Sequence, residues 1–199
     1  MSDVSTGLEF LDEARWLNPP ADSRRTTDGG LTVTTAERTD FWRSTHYGFI
    51  RDNGHFLGAP AKGDFTAEVA FEADYRTLYD QAGLMLRIDE ATWIKAGIEY
   101  SDEATNFSVV VTRERSDWSV NRRPRVTGVQ QLRLTRIGSA VLVQALDGQG
   151  RWDLLRLADF PDTPDVTVGV MACTPERTGL QVTFKRFTVG PAVADALHG

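Results

Sequence analysis

The sequence predicts an all-β chain folded as an antiparallel two-sheet β-sandwich of the jelly-roll type, and three observations carry that prediction. Apolar and polar residues alternate with a period of two in one short run after another, as half-buried strands require. Turn-forming clusters rich in Gly, Asp and Pro separate those runs at short intervals. Apart from the two ends of the chain, no amphipathic helical stretch lies between successive strands, so βαβ crossovers and a parallel sheet are not expected. Short, numerous strands must then pair antiparallel and bury one face each, which two facing sheets achieve.

In chain order, residues 8–16 read as a short helix, and a strand over 31–35 follows the turn Asp28-Gly29-Gly30. Strands over 41–50 and 55–57 flank Asp52-Asn53-Gly54. The clearest alternation is 65–72, where Phe65, Ala67, Val69 and Phe71 face one way and Glu68 and Glu72 the other. The same period places Leu84, Leu86 and Ile88, then Ile94, Ala96 and Ile98, then Val109 and Val111 on the core side. Further strands are expected over 131–137, 141–146, 152–157, 166–172 and 180–189, with a terminal helix over 192–197.

Composition narrows the function classes. At 199 residues, the chain is expected to form a single sandwich domain spanning 1–199, large enough to need no metal or disulfide staple. A net charge of −6 argues against a general nucleic-acid binder, whose affinity depends on neutralising phosphates. The longest apolar runs, such as 166–173, fall far short of the ~20 residues of a membrane helix. Single Cys173 forms no intrachain disulfide and the acidic opening Met1-Ser2-Asp3 carries no readable secretory signal, so the expected setting is cytoplasmic. No cofactor is implied.

The runs 39–56, Tyr79-Asp80-Gln81-Ala82-Gly83-Leu84-Met85, Trp93-Ile94-Lys95-Ala96-Gly97-Ile98-Glu99-Tyr100 and Ser116-Asp117-Trp118-Ser119 resemble a domain-of-unknown-function family that includes the fungal regulation-of-enolase protein. The resemblance covers nearly the whole chain. It implies a concanavalin-A-like lectin/glucanase sandwich and brings with it no established reaction.

Alternation sends Trp93, Lys95, Gly97 and Glu99 to the outer face of their strand, with Gln81 and Asp80 at the mouth of the neighbouring one. Such a polar row beside aromatic rings suits a sugar, whose apolar face stacks on a ring while its hydroxyls bond to polar groups. As a ligand site, this row predicts that Lys95→Ala and Glu99→Gln leave the melting temperature almost unchanged while weakening binding. The alternative is a solvated sheet face with Lys95 and Glu99 as an ordinary ion pair that contributes little to stability and nothing to binding. Gly97 reads as leaving backbone open to a ligand. Trp42 and His46 share one side if their segment is extended, and a His there either bonds a ligand or is satisfied by backbone. His46 and His55 do not make a metal set, and Asp147-Gly148-Gln149-Gly150 lacks the carboxylates of a calcium loop. Glucanases of this architecture carry paired carboxylates on one strand. Glu99 and Asp102 differ in parity and Glu103 falls in the turn Ser101-Asp102-Glu103 with no fixed geometry, which leaves Asp80 as the other possible partner for Glu99. No catalytic residue is assigned. Cys173 shares the outer parity of Lys95 and reads as an inert packed thiol open to reagent.

Between Arg113 and Arg136, seven Arg stand against Glu114 and Asp117, a local net of +5 that leaves −11 on the remainder. Two functions are therefore expected. The first is a carbohydrate-binding or carbohydrate-metabolism accessory protein that takes a saccharide or anionic small metabolite with Trp42, His46, Gln81, Lys95, Glu99 and Trp118. The alternative is a regulator that docks on a metabolic enzyme such as enolase through Arg122, Arg123 and Arg125. A glycoside-active enzyme is third.

Overall fold

A computed structural model describes residues 7–122 and 127–197. In chain order the strands are β1 (Arg15–Leu17), β2 (Asp22–Arg25), β3 (Leu31–Thr34), β4 (Phe41–Arg43), β5 (Ile50–Asp52), β6 (His55–Ala61), β7 (Phe65–Ala73) and β8 (Gln81–Arg87). They continue as β9 (Thr92–Ser101), β10 (Ala104–Arg113), β11 (Arg115–Arg122), β12 (Gln130–Ile137), β13 (Ala140–Leu146), β14 (Trp152–Asp159), β15 (Val166–Cys173) and β16 (Gln181–Pro191). One seven-stranded sheet runs β1-β6-β15-β8-β9-β10-β11, the other runs β14-β13-β12-β7-β16-β3-β2, and β4 and β5 form a small separate hairpin. All pairings between the described strands are antiparallel, as the alternating sequence predicts.

The facing sides of the sheets make the main core. Phe65, Ala67, Val69 and Phe71 meet Leu84, Leu86, Ile94, Ile98, Val109 and Val111 there, the set that the period of two selects. A second, smaller core lies on the other side of the first sheet, where Phe41 and Trp42 of the hairpin cover Phe56, Met85, Trp93, Val110, Met171 and Cys173. The outer face of that sheet is thus roofed by the hairpin, and Trp93 is fully buried where alternation alone predicts an open face.

Several expectations are corrected. The helix expected over 8–16 is a 3-10 helix, Glu9–Glu13, followed directly by β1, and residues 194–197 are turns. The strand expected over 41–50 stops at Arg43, because Ser44, His46 and Gly48 all have positive φ and turn the chain back into β5. Ser44 and His46 adopt the costly left-handed region that non-glycine residues visit rarely. Gly97 serves the sheet: a Cβ there would collide with the Ala82 carbonyl on β8, and one on its cross-strand partner Gly83 with the Ala96 carbonyl. The Arg-rich run is divided between sheets, since Arg133 and Arg136 are buried on β12 whereas Arg115 and Arg122 lie exposed on β11. Arg123 and Arg125 lie outside the described residues.

Phe71 is fully buried, with its ring centroid 6.2 Å from that of Phe184. Phe71→Ala is expected to lower unfolding free energy by about 3–5 kcal/mol, measured by chemical denaturation. A loss below about 1 kcal/mol would show that this strand's inward face is misassigned.

Candidate functional site

Between the β4–β5 hairpin and the outer face of β8–β11 lies a cavity of about 180 Å³. Its walls are aromatic: Trp42, Tyr47 and Phe49 come from the hairpin, Tyr79 from the segment before β8, and Trp118 from edge strand β11. Tyr47 stacks on Phe49 at 5.3 Å and meets Trp42 edge-on at 5.8 Å. The Tyr47 and Tyr79 hydroxyls lie 2.8 Å apart and join the hairpin tip to the opposite wall. The Trp42 indole N–H donates to Thr45 O at 2.9 Å, which fixes that ring in the turn.

The floor is polar and buried. Glu99 on β9 is 4% exposed, and its Oε2 accepts a hydrogen bond from Ser108 Oγ at 2.8 Å. Ser108 Oγ in turn accepts the Trp118 indole N–H at 3.0 Å. Gln81 pairs with Glu99 across β8 and β9, and its side chain lines the cavity without a hydrogen bond to any described residue. Lys95, on the same face, donates to Asp40 Oδ1 at 3.0 Å and to Phe41 O at 2.7 Å. It anchors the base of the hairpin through Asp40, where alternation alone pairs it with Glu99.

Electrostatics follow from burial. Burial pushes the Glu99 carboxyl above the usual carboxylate range, against the opposing pull of Lys95 and the Ser108 bond. For Lys95, burial pulls the ammonium down, but neighbouring anions, Asp40 foremost, outweigh it and hold the group above its ordinary value. Burial also drives the Cys173 thiol far up. Cys173 is 0% exposed, so the reagent access expected from its outward parity is closed by the hairpin.

Of the sequence-predicted site residues, Trp42, Gln81, Lys95, Glu99 and Trp118 all line this one cavity. His46 does not: its positive φ takes it out of line with Trp42, and it sits exposed with its ring edge-on to Tyr47 at 4.8 Å. His55 is a structural group, accepting Ala36 N–H on Nε2 at 3.0 Å and therefore donating from Nδ1 to Asn18 O at 2.7 Å. Asp80 does not serve Glu99 as a second carboxylate. It is fully buried and engaged by the Arg177 guanidinium, by Thr174 Oγ1 at 2.8 Å and by the Arg76 and Thr77 amides. Sequence reasoning missed Phe49, Arg51, Tyr79, Pro175 and Glu176 as lining residues. Apart from Arg51 in the middle of β5, they come from loops and turns whose placement no local period encodes.

An all-antiparallel pair of seven-stranded sheets, with a roofed cavity on one outer face, defines a concanavalin-A-like β-sandwich protein. The chain belongs to the family described as "Protein of unknown function (DUF1349)", which matches residues 16–192. It is 44% identical over 188 residues to "Regulation of enolase protein 1" of Saccharomyces cerevisiae, covering 94% of each chain. An uncharacterized protein of Emericella nidulans is 26% identical over 162 residues, covering 75% of this chain and 79% of that one. Among solved structures, a functionally unknown protein from Saccharomyces cerevisiae superposes with a TM-score of 0.87 at 43% identity, covering 92% of this chain and 99% of that one. The GH43 protein BlXynB from Bacillus licheniformis shares the fold, with a TM-score of 0.66 at 14% identity over 94% of this chain and 40% of that one. Among the described residues, no helix is long and apolar enough to cross a membrane.

Two outcomes follow from the paired charges. Lys95→Ala strands the Asp40 carboxylate under the hairpin and is expected to cost about 3–5 kcal/mol by chemical denaturation, because breaking one side of a buried ion pair leaves the other uncompensated. An unchanged stability would restore the solvated-face reading. For Glu99, a folded-state value above the unfolded one means that the folded protein binds the proton more tightly. The ionised group therefore opposes folding at neutral pH; the opposition fades as pH falls through the raised folded-state value and is gone below the ordinary carboxylate value of about 4.3. Calorimetry across pH is expected to show Glu99→Gln melting above wild type near pH 7, with the two converging in acid.

Proposed function

We propose that the protein is a carbohydrate-binding accessory protein that holds a small saccharide in the cavity under the β4–β5 hairpin. The single observation that carries this reading is the convergence of five aromatic rings with two buried hydrogen-bonding side chains, Gln81 and Glu99, on one partly open cavity. Rings cover the apolar faces of a sugar, and Gln81 supplies both donors and an acceptor for its hydroxyls. At about 180 Å³ the cavity is smaller than the ~300–1,000 Å³ typical of drug-sized sites, so it suits a single ring and not a polymer. Two of the carboxylates nearest the site are already engaged, Asp80 by Arg177 and Asp40 by Lys95, which favours binding over chemistry as the reading.

A second reading rests on a separate observation. The relative that shares 44% of its residues over 94% of this chain bears the name "Regulation of enolase protein 1". It supports a regulator that contacts a metabolic enzyme, with the exposed Arg115 and Arg122 of β11 on the candidate docking edge. The two readings meet at β11, whose Trp118 is both a cavity wall and 39% exposed.

Isothermal titration against a panel of monosaccharides tests the first reading. A saturable ligand is expected, and Trp118→Ala and Gln81→Ala are each expected to weaken it by about 5- to 150-fold, the range for losing one partner in a desolvated site. Arg122→Ala is expected to leave that affinity as it is while weakening any enzyme complex. A ligand that both cavity variants bind like wild type would move the site elsewhere.

A further inference from the structure

The charge inside the cavity selects among sugars. The Lys95 ammonium is occupied by Asp40 Oδ1 and Phe41 O at the hairpin base. The Arg51 guanidinium lies 4.6 Å from the centroid of the Phe49 ring. Glu99 and Glu176 line the same space, and neither forms an ion pair with a described residue. Glu99 is also the more deeply buried of the two, with one direct hydrogen bond among the described residues, from Ser108. An incoming anion would meet both carboxylates and, with the Lys95 ammonium taken, only the Arg51 guanidinium on the hairpin side, away from the Glu99 floor. A cation would meet a buried carboxylate and the negative faces of the surrounding rings, the two features that recognise ammonium groups.

We propose that the ligand of this cavity carries an ammonium group seated against Glu99, so that within the saccharide reading, on which this inference rests, the ligand class is an amino sugar with a free amine. The Gln81 amide, which has no side-chain hydrogen bond to a described residue and lies directly across from Glu99 in the β8–β9 register, then takes a neighbouring hydroxyl. Trp118, tied to Glu99 through Ser108, lines the same cavity beside that carboxylate. An acetylated amine loses both the charge and the fit to a lone carboxylate.

The test compares glucosamine, glucose and N-acetylglucosamine by isothermal titration on the full chain, with choline as a cation that is not a sugar. The wild-type protein is expected to prefer glucosamine to the other two sugars by about tenfold or more, the margin of a charge-assisted over a neutral hydrogen bond. Glu99→Gln keeps the shape of the side chain and is expected to bring that ratio close to one. Its melting temperature reports independently that it is folded. Glucose or N-acetylglucosamine binding as tightly as glucosamine overturns the ammonium assignment and leaves the saccharide reading standing. Choline binding that depends on Glu99, with no sugar bound, upholds the ammonium assignment and overturns the saccharide reading. If none of the four binds, both fall.

Discussion

The buried pair of Lys95 and Asp40 is the constraint on which the site depends. Lys95 projects from the middle of β9 on the side away from the main core, where an unpaired ammonium in a dry environment would be very costly. Asp40 meets it from the start of the hairpin, and the same Oδ1 also accepts the Phe41 amide at 2.8 Å, while the Asp40 carbonyl accepts the amides of Asn53 and Gly54 at the far end. One residue, through its carboxylate and its backbone carbonyl, thus closes both ends of the hairpin over the sheet. At the next register, Arg87 clamps Asp52 of β5 through two bonds of 2.8 Å each. Two charge pairs hold a segment whose own three-residue strands are too short to be stable alone.

With the hairpin held down, the outer face of the sheet becomes a second interior. Phe41 fills it against Trp93 at a centroid distance of 6.1 Å, and Gly54 is required beneath, since a Cβ there would press into the Phe41 ring and the Cys173 sulfur. The cavity is the part of this interior that the hairpin covers but does not fill. Its hydrogen-bonding floor from Glu99 through Ser108 to Trp118 is built on paired strands, whereas much of its aromatic roof is built on a turn. A rigid floor fixes the polar contacts, and side chains on the turn complete the enclosure.

How much of this was legible in the sequence depends on whether the cause is local. Strand faces follow from a period of two, so Phe65 to Phe71, Ile94 to Ile98 and Val109 to Val111 point as the alternation indicates, and the outward row of Lys95 and Glu99, with Gln81 beside it, lines one cavity with Trp42 and Trp118. What parity does not carry is whether an outward face meets water. The hairpin changes the meaning of Lys95 from a surface charge to an anchor, and that of Cys173 from a reachable thiol to core. Nor does local reading foresee the left-handed turn residues Ser44 and His46, which dissolve the apparent alignment of His46 with Trp42. Arg133 and Arg136 show the same limit, since a cluster in sequence is separated from Arg115 and Arg122 by a change of sheet.

The central claim is that the space between the hairpin and β8–β11 is a ligand site whose floor runs from Glu99 to Trp118. Its most direct test is the indole N–H region of a nitrogen–proton correlation spectrum recorded during a monosaccharide titration, with the indoles assigned by single Trp→Phe variants. The account predicts that the Trp118 and Trp42 signals shift together along one saturable curve, while Trp152, on the other sheet, stays still. Saturable binding that leaves Trp118 and Trp42 in place would contradict it.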